Sequence, residues 1–202
     1  IEKIDNDKKI DLTISKITKK HYNKIESFNN DSMTSDSFHQ QMMQMHNVSW
    51  HKKSEIEFAG LRDHFIIDEQ QITKTFTPKK PNVLNNLEEY APKIKSVINN
   101  ILEMKSNGIA FIFSQFISSG VVPIILALEH NGFSKYDGPQ SDIKHLVSNN
   151  KRDKGKYLVI TSDKSFSGTK KQQLEWINIA RGKGNETGNK IRVIIASGAG
   201  GE

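Results

Sequence analysis

From Leu84 onward the apolar positions fall into regular patterns. In "APKIKSVINNILEMKSNG" they recur at Ile94, Val97, Ile98, Ile101 and Leu102, the spacing of one helical face. Pro92 suits the first turn of that helix and Asn107-Gly108 a left-handed stop. The unbroken apolar run over 109–113 predicts a strand covered on both faces. "SSGVVPIILALEHNGF" predicts a helix opened by Ser118 or Ser119, with Pro123 early and Gly132 closing it. A second buried strand is predicted at 157–161, then a helix at 169–180 whose inward face carries Leu174, Trp176 and Ile177, and a third buried strand at 191–196. Alternating helices and strands predict an α/β fold for residues 86–202, a parallel sheet with helices on both faces.

Residues 1–85 are more polar and irregular, and read as a mostly helical linker and insertion. They offer a strand at 10–14, a helix at 16–28, and then a stretch rich in Ser, Asn, Gln and Met with room for one helix at most. Met42, Met43 and Met45 suit helix packing, and His39, His46 and His51 lack the spacing of metal ligands, so no metal site is expected.

Composition narrows the functional classes. The chain has 202 residues, 35% of them hydrophobic, and a mean hydropathy of -0.58. That suits a soluble protein with no membrane partner, because no run approaches the ~20 apolar residues of a spanning helix. Its amino end has no apolar leader-like segment. The absence of cysteine excludes disulfides and thiolate metal sites and fits an intracellular setting. A formal charge of +6 favours an anionic partner such as nucleic acid.

The candidate chemistry lies in the loops that follow the predicted strands: "SQFISSG", "TSDKSFSGT" and "SGAGGE". Each combines hydroxyls with glycines where a parallel sheet presents its carboxyl ends. Backbone N–H groups and short hydroxyl side chains there can grip phosphate without reading a base. Strand-to-helix turns also require Ser and Gly for their geometry alone, so both readings stand. "GKGNETGNK" imitates a phosphate loop, but its spacing is wrong and it precedes a strand, as a polar surface loop does.

Residues 87–202 resemble the second RecA-like domain of superfamily 2 helicases, in particular the Swi/Snf-like branch of large nucleocytoplasmic DNA viruses, akin to poxviral early transcription factor and nucleoside triphosphatase I. "FIFSQF" is similar to motif IV, "ITSDKSFSGTKKQQLEWIN" to the stretch after it, and "IIASGAGGE" to motif V. "IDLTISKITKKHYNKI" resembles the linker after the first RecA-like domain, with Lys19 where Gln is common. The chain departs from the pattern at Thr161-Ser162-Asp163, which replaces a Gly-Ser turn, and at Lys170 or Lys171, which replaces an Arg. It contains no GxxxxGK[ST] and no DEAH-like box, and no arginine-bearing motif VI follows "SGAGGE".

The resemblance implies one half of an ATP-dependent nucleic-acid helicase or translocase, cut within motif V and preceded elsewhere by the first RecA-like domain. ATP and Mg²⁺ would belong to the intact protein, and this chain alone would bind neither and carry no catalytic residue. Its expected share is contact with a DNA or RNA backbone through Ser114, Gln115, Thr161, Ser162, Ser197 and Gly198, with attraction from Lys170 and Lys171. Gly200, Gly201 and Glu202 would couple that grip to the nucleotide cleft. The family implies viral transcription, in the virion or the host cytoplasm, with viral RNA polymerase as a partner. A scaffold that has lost catalysis, in a transcription or packaging complex, is the competing reading. A Rossmann-like enzyme using "GAGGE" is a third, and it requires a helix and an acidic residue about 20 positions later.

Overall fold

The structure is a computed structural model that describes residues 16–26, 35–50, 59–70, 73–104, 108–147 and 153–198. The expected strand at 10–14 lies outside them. The described part of residues 1–85 begins with α1 (Lys19–Glu26), α2 (Ser35–Asn47) and α3 (Ala59–His64). Next comes an antiparallel hairpin of β1 (Phe65–Asp68) and β2 (Thr75–Pro78), with Phe65 opposite Pro78 and Asp68 opposite Thr75. The described residues here therefore carry more regular structure than the composition suggests. Four-residue strands give too few alternations to stand out in a polar sequence.

A short α4 (Leu87–Tyr90) leads into α5 (Pro92–Glu103), which buries Ile94, Ile98 and Ile101. Leu102, expected on the same face, is exposed. The chain then alternates through β3 (Ala110–Ser114), a π-helical turn (Ile117–Val121), α6 (Val122–His130), β4 (Ser134–Lys135), β5 (Lys156–Ile160), α7 (Lys164–Ser167), α8 (Lys170–Arg181) and β6 (Val193–Ser197). The last four strands make one parallel sheet in the order β3-β6-β5-β4. β4 was not anticipated, since a two-residue strand leaves no pattern.

Two crossovers run in opposite directions across the sheet, β3 to β4 through α6 and β5 to β6 through α8. Right-handed connections then demand that α6 and α8 lie on opposite faces. The core is divided accordingly. The larger cluster joins α5 and α6 to Tyr157, Val159, Val193 and Ile195, and the smaller joins Trp176 and Ala180 of α8 to Tyr136, Leu158 and Ile191. Val48, Trp50, Leu61, Phe65 and Phe76 belong to the larger cluster, so one core runs across residue 85.

Two expectations about faces are corrected by this layout. β3 is an edge strand, and α8 sits over β5, so Phe111 and Phe113 are 65% and 63% exposed and the strand is covered on one face only. On α8 the buried stripe is Trp176 and Ala180, four apart, which turns Leu174 outward at 64% exposure. The start of the helix after β3 also differs. No serine caps it; Phe116 precedes the π-helical turn, and Ser119 instead donates to Gln44 Oε1 of α2 at 3.2 Å. Thr169 does cap α8, in a reciprocal capping box with Gln172.

Candidate nucleic-acid interface at the sheet rim

The three candidate loops meet at one end of one sheet. Ser114 of β3 pairs with Ser197 of β6, and Ile160 of β5 pairs with Ala196. Because successive side chains alternate faces, Thr161, Ser197 and Ser114 continue the inward rows of Val159, Ile195 and Ile112. The result is a hydroxyl row across three neighbouring strands about 4.8 Å apart.

The members of the row differ in what they hold. Ser114 is buried, donates to the Phe116 carbonyl at 3.0 Å and packs where a Cβ on Gly120 would otherwise stand. Thr161 is buried too. Its Oγ1 accepts from the Asp163 amide at 3.4 Å, and its carbonyl accepts from Ser167 Oγ at 2.7 Å and Gln173 Nε2 at 3.3 Å. Ser197, 1% exposed, has no hydrogen-bond partner for its hydroxyl among the described residues. An unpaired buried hydroxyl costs about 1–3 kcal/mol. Gln115, Ser162 and Gly198 are exposed beside this row, as are Lys170 and Lys171 in the first turn of α8. Gly200, Gly201 and Glu202 lie outside the described residues.

The loop after β5 is held by residues that the sequence pattern did not single out. Asp163 caps α7, accepting from the Ser165 amide at 2.9 Å and its hydroxyl at 2.6 Å, and pairs with Lys74 Nζ from the hairpin at 3.2 Å. Burial pushes its carboxyl up, but the Ser165 donors and Lys74 outweigh this and leave it below its ordinary value. Lys74 also lies over the Phe166 ring, 5.4 Å from its centroid.

Deeper in the sheet is a second polar group. Glu129, fully buried at the end of α6, accepts from the backbone amides of His145 (2.9 Å) and Leu146 and from the Tyr157 hydroxyl. Burial raises its carboxyl to about 7 against the pull of those donors. His145 donates from Nδ1 to the Lys74 carbonyl at 2.8 Å, and its buried Nε2 has no partner among the described residues. Protonating Nε2 would bury an N–H without an acceptor, and burial holds the ring down at about 4. The available signal was an acid at the end of "VVPIILALEH", an otherwise apolar helix.

"GKGNETGNK" lies at the opposite end of the sheet, before β6, where Asn185 organises it through bonds to Ala180, Lys190 and Ile191. Among the described residues no three His, Asp or Glu side chains gather as a metal site. The sequence contains no GxxxxGK[ST] phosphate loop.

The fold and rim define an α/β chain with a four-stranded parallel sheet flanked by helices, an arrangement compatible with a RecA-like fold. No protein-family model matches the chain, and no curated protein matches it either. Among the described residues no helix is long and apolar enough to cross a membrane.

Proposed function

We propose that this chain is the backbone-gripping half of an ATP-dependent nucleic-acid translocase, working against a RecA-like partner domain that carries the nucleotide machinery. The observation that carries the reading is the convergence of β3, β6 and β5 at one rim, with Ser114, Ser197 and Thr161 aligned and Gln115, Ser162 and Gly198 exposed beside them. Phosphate oxygens are acceptors, and backbone amides with short donors at such a rim suit them regardless of base. The exposed Lys170 and Lys171 add attraction that salt screens.

In this mechanism the chain binds and orients the strand, and the partner domain supplies the nucleotide chemistry. The Ser197 hydroxyl is singled out within the row because it is buried with no hydrogen-bond partner among the described residues, so a small local opening would offer it to a ligand at no cost in internal bonds. In the intact protein, Ser197→Ala should lower nucleic-acid-stimulated ATP hydrolysis more than basal hydrolysis. Equal loss of both would sink the gripping role. The internal bonds of Ser114 and Thr161 also suit a scaffold with no turnover. Hydrolysis by the intact protein that does not respond to added nucleic acid would favour that second reading.

A further inference from the structure

Next to the rim, on the α5 side of β3, is a cavity of about 410 Å³. That lies within the range of roughly 300–1,000 Å³ typical of small-ligand pockets. Helix α2 supplies one wall with Met43, His46 and Asn47, α5 supplies Lys93 and Val97, and the floor is Ile112 and Ile124. Ser114 and Gln115 belong both to this cavity and to the rim.

The polar groups of the cavity are unevenly distributed in kind. Among the described residues no carboxylate lines it, whereas Lys93 contributes a charge and Asn47, Ser114 and Gln115 contribute amides and a hydroxyl. Lys93 Nζ donates to Asn47 Oδ1 at 3.2 Å, which leaves the Asn47 amide nitrogen turned towards Gly120, 4.0 Å from where its Cβ would stand. That same Cβ position is against Ser114 Oγ, so Gly120 keeps the donor end open. His46 donates from Nδ1 to the Met42 carbonyl at 2.7 Å, which fixes its ring on the α2 wall. The occupant that matches is a flat, apolar body with acceptors on its edge and an anion at the mouth.

We infer that the cavity receives one unstacked nucleotide of the bound strand, its base between the α2 and α5 walls, its edge at Asn47 and Gln115 and its phosphate towards Lys93. This rests on the backbone-gripping reading and makes the substrate single-stranded at this point. The insertion helix α2 then becomes part of the binding surface, since without Met43, His46 and Asn47 the cavity loses a wall.

The test uses the full chain and labelled single strands, one ordinary and one of equal length with abasic sugars, followed by fluorescence anisotropy. The ordinary strand should bind at least about fivefold more tightly, because bases as well as phosphates are held. Met43→Trp, which fills the cavity, should bring the ordinary strand down to the abasic level and leave abasic binding unchanged. Asn47→Ala should weaken ordinary-strand binding in the same selective way without adding bulk. Indistinguishable affinities for the two strands, together with steep salt dependence, would overturn this inference and leave the backbone grip standing. No binding of either strand would remove both. A free mononucleotide binding as tightly as the strand would overturn the assignment to a strand position.

Discussion

Replacing Glu129 should change how stability depends on pH. In the folded chain its carboxyl titrates at about 7, against an ordinary 4.5. Between those values the folded chain keeps a proton that the unfolded chain has released, so this stabilisation is full below pH 4.5 and lost as pH rises through about 7. A displacement of that size is worth about 3 kcal/mol. His145 acts with the opposite sign. Its folded value of about 4 lies below the ordinary 6.5, so its contribution is full above pH 6.5 and lost as pH falls through about 4. The magnitude is again about 3 kcal/mol. From pH 4.5 to 6.5 the two slopes cancel, and the unsubstituted chain should be nearly flat with respect to this pair. Glu129→Gln removes one slope. Its amide must turn its nitrogen to at least one of the donors that Glu129 now satisfies, a cost of about 1–3 kcal/mol that does not vary with pH. What does vary is the remaining His145 contribution, so the variant should gain about 3 kcal/mol between pH 4 and pH 7. Urea unfolding at a series of pH values, followed by the buried Trp50 and Trp176, measures both profiles. Parallel profiles for the variant and the unsubstituted chain would refute the reasoning.

Phe76→Ala should destabilise the whole chain by about 3–5 kcal/mol in the same urea assay, because Phe76 is fully buried in the core shared with the sheet; a change confined to hairpin signals, with the global midpoint kept, would show a separate unit. Gly120→Ala should cost about 1–3 kcal/mol by forcing Cβ into Ser114 Oγ. Pairing it with Ser114→Gly should recover part of that loss, and no recovery would mean that the two positions do not meet.

The larger elements were legible because their patterns are long. The α5 stripe of Ile94, Ile98 and Ile101 and the apolar runs that became β5 and β6 each repeat enough to identify a period. Errors arose where the reading needed a neighbour that the pattern does not contain. "AFIFS" is as apolar as a central strand, yet β3 takes the sheet edge, and only the position of α8 decides that Phe111 and Phe113 stay open. Leu174 failed for a similar reason, since Trp176 and Ala180 set the inward direction. At the rim, the sequence identified the loops and their hydroxyls. It could not distinguish Ser114 and Thr161, which bond within the fold, from Ser197, which has no partner among the described residues, because that difference depends on Phe116 and Asp163 being within reach. The Lys74–Asp163 pair joins residues far apart in sequence, and no local motif announces it.

That pair also shows how the residues before 86 meet the sheet. β5 carries Tyr157 at one end of its inward row, bonded to Glu129, and leads at the other end into Thr161 and Asp163. Glu129 holds the amides of His145 and Leu146, and the Phe76 and Val147 amides donate to the carbonyls of His145 and Phe76. His145 and Asp163 both engage Lys74, so the hairpin closes a loop of contacts between the buried acid and the rim. On the other side, α2 reaches the rim through Gln44–Ser119 and walls the cavity at Ser114. Both ends of the rim are therefore braced by residues preceding 86. A mere spacer would not place buried aromatics in the sheet's core or side chains on these two loops, as the residues before 86 do. That packing ties the loops after β3 and β5 to the chain before residue 86 from both sides.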